Sequence, residues 1–163
     1  MLTPDIYVCD VLDIDLEALL ARGVDTLLMD LDNTLLPRDS SVMPPQIVEW
    51  CGSLSARGFT VCLVSNNWHQ RVHEVAEELG FALVAKSVKP LPFAFLRALK
   101  RVGSTRRRSA VVGDQMFTDV LGGRLLGMTT VMVLPLSESD LPHTLMLRRV
   151  ERVLLGGREP QSS

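Results

Sequence analysis

The fold class this sequence predicts is doubly wound α/β, a single parallel sheet held between two layers of helices. Three observations predict it. Short, almost unbroken apolar runs recur along the chain with helical periods between them, as buried parallel strands and their crossover helices require. Polar and charged residues gather immediately after these runs. The steps between those gatherings, 35 residues from Asp30 to Ser65, 24 to Lys89 and 25 to Asp114, lie near the roughly 30 of one strand and its returning helix.

The elements follow in order. A first strand over residues 26–29 ends at Asp30 and Asp32, with Thr34 two residues further on. Pro44 and Pro45 open a helix in which Ile47, Trp50, Cys51 and Leu54 share a face, and Gly58 is the terminator. A strand over 60–64 runs into Ser65-Asn66-Asn67. The next helix shows Val72, Val75, Ala76 and Leu79 on one side and stops at Gly80. A strand over 82–85 leads through a short loop to Lys89. Phe95, Ala98, Leu99 and Val102 then mark a helix ending at Gly103. Strands over 110–112, followed by Asp114, and 130–134 complete the sheet. A last helical pattern sets Arg148, Arg149 and Arg152 on one face and Met146, Val150, Val153 and Leu154 on another, and residues 156–163 read as a flexible tail. Residues 1–155 therefore form one domain.

Composition narrows the class. With 163 residues, 47% of them hydrophobic, the chain supports one substantial core. The start of the chain shows no signal-peptide pattern and no apolar run nears the length of a membrane span, which predicts a soluble, cytoplasmic protein. The three cysteines, Cys9, Cys51 and Cys62, are odd in number and lack metal-ligand spacing, so they read as reduced, packed thiols. Residues 1–100 carry 8 basic and 13 acidic side chains, and residues 101–163 carry 9 and 6. That mild basic half, without interleaved aromatics, argues against nucleic acid as a partner. The Arg106-Arg107-Arg108 run reads as a solvated loop. His69 and His73, four apart without a third ligand, read as solvated helix residues.

The chemistry is concentrated at Asp30 and Asp32. Two like charges about 4 Å apart repel by roughly 4 kcal/mol at an effective dielectric near 20, so carboxylates at the end of an apolar strand call for a cation. Parallel strands open their C-terminal loops at one sheet edge, where such folds bind ligands. Three carboxylates, a hydroxyl, amides and an ammonium converging there suit a hard divalent cation together with a phosphate. Each residue taken alone has a plainer reading: Asp114, Asp119 and Ser65 could be caps or turn residues. Lys89 competes with Lys86, although both belong to a chain with 14 arginines and only three lysines, so a compact ammonium is wanted in this loop.

At these positions the chain resembles the haloacid dehalogenase superfamily of phosphotransferases. All four motifs occur in order: DLDNT at 30–34, Ser65 in VSNN, Lys89 in KP, and GDQMFTD at 113–119. More narrowly, the opening PDIYV, the pairing of VSNN with GDQMFTDVLGGRLLG, and the small size are similar to the YqeG group of family IIIA phosphatases, from about Pro4 to Leu155. The resemblance implies a Rossmann-like phosphatase fold and a division of labour. Asp30 would be the nucleophile that becomes an aspartyl phosphate. Asp32 would be the general acid and then the general base. Asp30, the Asp32 backbone carbonyl and Asp114 would bind Mg²⁺. Ser65 and the amides after it, including that of Asn66, would hold phosphoryl oxygens, and Lys89 would neutralise charge on the nucleophile and the transferring group. Asp119 would steady the lysine or orient water, and Thr34 would support the first loop.

The short steps between motifs leave no room for a cap domain, so the site should be open and the substrate a bulky phosphomonoester. Relatives in the YqeG group include phosphatidylglycerophosphate phosphatases, so the resemblance implies that lipid as a candidate substrate. The basic terminal helix then allows peripheral contact with an anionic membrane, and an oligomer is compatible with the sequence. Two other classes compete: a phosphoacceptor signalling module, which also gathers acids and a lysine around Mg²⁺, and a non-catalytic scaffold of the same fold.

Overall fold

The computed structural model describes residues 2–137, 156 and 158–161. The terminal helix pattern lies outside the described residues. One sheet holds six parallel strands: β1 (Ile6–Val8), β2 (Thr26–Met29), β3 (Thr60–Val64), β4 (Ala82–Val84), β5 (Ser109–Gly113) and β6 (Thr129–Val133). Their order across the sheet is β1-β6-β5-β2-β3-β4. The connecting helices are α1 (Leu16–Ala21), α2 (Pro45–Leu54), α3 (Gln70–Leu79), α4 (Pro92–Val102) and α5 (Leu121–Leu125).

Strands alternate their side chains between two faces, and this alternation divides the core. Leu27 and Met29 of β2 point to the side that also buries Leu19, Ile47, Leu54 and Val75, the layer of α1, α2 and α3. Leu28, between them, joins Cys62, Val111, Phe95 and Leu99 on the α4 side. The change of face follows from strand order. The chain moves β1 to β2 to β3 to β4 in one direction across the sheet, then jumps back past β2 to β5 and moves the other way to β6. Right-handed crossovers put helices from the two directions on opposite faces. The reversal lies at β2 and β5, whose outgoing chains part to opposite sides and leave a crevice between them.

Strands β2 and β3 have the predicted bounds, and the other three shift by a residue or two at their ends. β5 gains Ser109 because its hydroxyl is satisfied in the interior, donating to the Thr105 carbonyl at 2.8 Å. Periodicity misses β1 and α1. β1 is a three-residue strand that pairs with β6 alone in the sheet order. α1 is six residues long and is started by the Asp15 carboxylate, which accepts from the Ala18 N–H at 2.9 Å. Beyond β1, Gln161 runs parallel to it, with the Gln161 N–H on the Tyr7 carbonyl at 2.9 Å. The cysteines are free, as expected, and burial pushes the thiols of Cys51 and Cys62 up to about 12 and about 11, so neither is a thiolate. His69 and His73 are both exposed, and Arg106–Arg108 form an exposed 3₁₀ turn whose Arg108 pairs with Asp25.

Candidate active site

Four strand ends build the site. β2 is anchored past its last residue by the Asp30 N–H on the Val112 carbonyl at 2.8 Å, which holds Asp30 against β5. The chain then turns tightly, with the amides of Thr34, Leu35 and Leu36 all directed to the Leu31 carbonyl. Asn33 takes the left-handed conformation at φ 62°, which asparagine tolerates better than most residues. Thr34 is buried beneath this turn.

Ser65 ends β3. Its hydroxyl accepts from the Asn67 N–H at 3.0 Å and donates to Asp32 Oδ2 at 3.4 Å, so this loop and the first face each other across the crevice. Asn66 acts through its carboxamide on the next loop: Oδ1 accepts from the Lys89 N–H at 2.7 Å and from the Ser87 hydroxyl at 2.8 Å. The Asn66 side chain is thus a brace for the lysine loop, leaving only its amide for a phosphoryl oxygen. The braced loop is strained, since Lys86 and Val88 both have positive φ, 51° and 54°. Such a conformation in a β-branched residue is a genuine outlier and costs on the order of 1–3 kcal/mol.

What this loop delivers is Lys89. Its ammonium is buried and donates to Asp30 Oδ1 at 2.6 Å and to Asp119 Oδ1 at 2.7 Å. Burial by itself would lower the lysine, but the Asp119 and Asp30 carboxylates beside it more than offset that and hold it well above its usual value. Lys86 is exposed and lies over the Trp68 ring at 5.5 Å.

Asp119 is carried by a π turn, Met116–Val120, of a kind that recurs at functional sites. Its second oxygen accepts from the Thr118 hydroxyl at 3.2 Å and the Gln115 N–H at 3.3 Å. Burial pushes its carboxyl up to about 6, against the pull of Lys89. Asp32 is raised as well, by burial first and then by the Asp30 charge.

One residue that motif reading leaves as a spacer is Gly113. A Cβ there would sit 2.3 Å from the Asp119 carboxyl carbon, so the glycine provides the space in which Asp119 lies. Gly113→Ala is therefore expected to push Asp119 off Lys89. It should destabilise the fold by about 1–3 kcal/mol and lower kcat roughly tenfold, as denaturant titration and steady-state kinetics would read.

Carboxylate oxygens of Asp30, Asp114 and Asp119 lie within 4.8 Å of one another, all three residues buried. Three hard oxygen donors with one ammonium between them leave negative charge in excess, a donor set that fits a divalent cation such as Mg²⁺. The cluster brings in Asp119 beside Asp30 and Asp114, and the Asp32 carboxylate is not among its oxygens. A cleft of about 410 Å³ opens over Asp32, lined also by Leu36, Arg38, Asn67, His69 and Arg71. Among the described residues no domain is inserted to cover it.

Comparison with known proteins agrees with this architecture. A model of haloacid dehalogenase-like hydrolases matches residues 27–88, and a second, HAD-hydrolase-like model matches 87–135. The chain is 38% identical over 152 residues to the probable phosphatase YqeG of Bacillus subtilis, covering 93% of this chain and 88% of that protein. It is 29% identical over 162 residues to a phosphatidylglycerophosphate phosphatase 1 of Arabidopsis thaliana, of which it spans 47%. A predicted HAD-like family hydrolase from Porphyromonas gingivalis shares the fold, with a TM-score of 0.59 at 12% identity over 81% of this chain and 98% of that one.

Proposed function

This chain belongs to the haloacid dehalogenase-like hydrolases, as a phosphatase of the YqeG group, and from that premise we propose that it hydrolyses phosphomonoesters through an aspartyl-phosphate on Asp30. The observation that carries the reading is the buried Lys89 ammonium bridging Asp30 and Asp119, with Asp32 and Ser65 hydrogen-bonded to each other across the same crevice. An Asp30 oxygen attacks phosphorus while the bond from phosphorus to the ester oxygen breaks. Asp32, whose carboxyl burial and then the Asp30 charge raise, gives its proton to the departing oxygen. In the second half, Asp32 takes a proton from water as that water attacks phosphorus, releasing inorganic phosphate and restoring Asp30. Lys89 offsets charge on Asp30 and the transferring group throughout, and Ser65 with the amides after it holds the equatorial oxygens.

Asp30, Asp114 and the Asp32 carbonyl would hold Mg²⁺, with Asp119 adjoining; when bound, the ion supplies positive charge for the phosphoryl oxygens. Phosphatidylglycerophosphate is the leading substrate. The name of the Arabidopsis relative, a phosphatidylglycerophosphate phosphatase, and the uncovered cleft both support a bulky amphiphilic ester. Peripheral membrane contact goes with that substrate, and no helix among the described residues is long and apolar enough to cross a bilayer.

The test is hydrolysis of an aryl phosphate. Turnover with Mg²⁺ should fall at least a hundredfold in chelator and return when the ion is restored. Magnesium-independent turnover would remove the metal from this account. A single burst leaving a long-lived phosphoryl protein would favour the signalling-module reading instead. The lipid is tested by comparing it with a panel of soluble phosphate esters.

A further inference from the structure

The surface formed by the loops after Ser65 and around Lys89 is more apolar than catalysis requires. Trp68, one residue past the Ser65-Asn66-Asn67 turn, is 61% exposed, and Val88, next to Lys89, is 53% exposed. Leu91, Phe93 and Leu96 continue the surface along the start of α4, each with close to half its area in water. These residues share one corner of the sheet edge. The Lys86 ammonium over Trp68 joins the β3 and β4 loops, and the Leu91 N–H on the Val88 carbonyl at 3.1 Å joins the β4 loop to α4. Val88 is also held in a strained left-handed conformation with its side chain in solvent, so packing within the described chain does not repay the strain.

Exposed charge beside these residues is basic: Lys86 lies against Trp68 and Arg97 follows Leu96 on α4, and residues 86–113 contain no aspartate or glutamate. Lys89, by contrast, is buried in its ion pairs, and Arg106–Arg108 lie at the opposite edge of the sheet, ahead of β5. On α4 the exposed positions are Phe93, Leu96, Arg97, Lys100 and Arg101, while Ala94, Phe95, Ala98 and Leu99 face the core. An apolar patch with an aromatic-stacked lysine and an exposed arginine beside it is the composition of a surface that sits at a lipid headgroup boundary. Its adjacency to Ser65 and Lys89 would bring a headgroup phosphate to the cleft without removing the lipid from its bilayer.

We propose that the corner formed by Trp68, Lys86, Val88, Leu91, Phe93 and Leu96 docks on an anionic bilayer and presents membrane-embedded phosphate esters to the site. This rests on the phosphatase reading only for the purpose of docking, and binding is measurable without turnover. In chelator, the full chain should float with vesicles of phosphatidylcholine containing about one-third phosphatidylglycerol. Floating should drop at least tenfold with phosphatidylcholine alone. The Phe93→Ser, Leu96→Ser double variant should lose roughly tenfold in vesicle binding and in turnover of a vesicle-borne phosphate ester, with aryl phosphate turnover unchanged. Trp68→Ser, on a separate loop, should weaken vesicle binding in the same direction. Wild-type protein that stays with the aqueous fraction, or variants that float as well as wild type, would overturn the proposal. So would a wild-type dimer in gel filtration that the double variant splits, since a second copy would then cover the patch. Failure of aryl phosphate turnover in the wild type would count against the catalytic reading and leave the flotation result to be judged by itself.

Discussion

Asp30→Asn will reduce phosphatase turnover by on the order of 10⁴-fold or more, because it replaces the carboxylate proposed to bond phosphorus with a neutral, poorly nucleophilic amide. The substitution changes little in shape, and an amide oxygen can still accept from the Lys89 ammonium that now contacts Asp30 Oδ1 at 2.6 Å. Folding should therefore survive, which makes the loss interpretable. Two measurements check it: steady-state hydrolysis of an aryl phosphate, and acid-quench trapping of the phosphoryl protein, present in the wild type and missing in the variant. Retention of even a tenth of wild-type kcat would mean that Asp30 is not the nucleophile.

Lys89→Met is the second large effect, and it acts on stability as well as rate. Removing one partner of a buried ion pair is strongly destabilising, by about 3–5 kcal/mol, because the remaining charges have no compensation. Here two carboxylates, Asp30 and Asp119, lose their shared cation at once. Loss of charge neutralisation in the reaction should lower kcat by roughly 10²–10³-fold. The pH dependence has a definite sign. Wild-type Lys89 has a folded value above its ordinary 10.5, so its stabilisation is complete below 10.5 and fades only at more alkaline pH. Asp119 lies above its ordinary 3.8 already, held down by Lys89, and without the lysine it rises further. A carboxyl raised on folding loses stability as pH climbs from 3.8 through the folded value. Measured in chelator, the deficit of the variant should be smaller at pH 5 than at pH 8. A deficit that grows on acidification would show that the buried acids do not control it.

The residues that carry these effects were legible because each closes an apolar run, and parallel strands carry all such closures to one edge. The placement of Asp30, Ser65 and Asp114 at one edge followed from that rule and the strand spacing, and the resemblance supplied their expected roles. The sequence alone did not decide between Lys86 and Lys89, three residues apart in one loop. The structure separates them by burial, through the Asn66 carboxamide that fixes the Lys89 amide at 2.7 Å. That brace was invisible for a physical reason: an asparagine serving a loop twenty-three residues away leaves no periodic trace. The space that Gly113 gives Asp119 was equally hidden, since a glycine beside a strand end also reads as a turn. β1 and α1 were missed because three and six residues are too few for a period to emerge.

Asn33 links distant parts of the molecule. Its side-chain oxygen accepts from the Arg38 N–H at 3.0 Å and from the Ser137 hydroxyl at 2.9 Å, while its carbonyl accepts from the Leu136 N–H at 3.0 Å. The chain leaving β6 is in this way stitched to the residue next to Asp32. Loosening either segment is therefore expected to shift the turn that carries Asp32, the proposed acid.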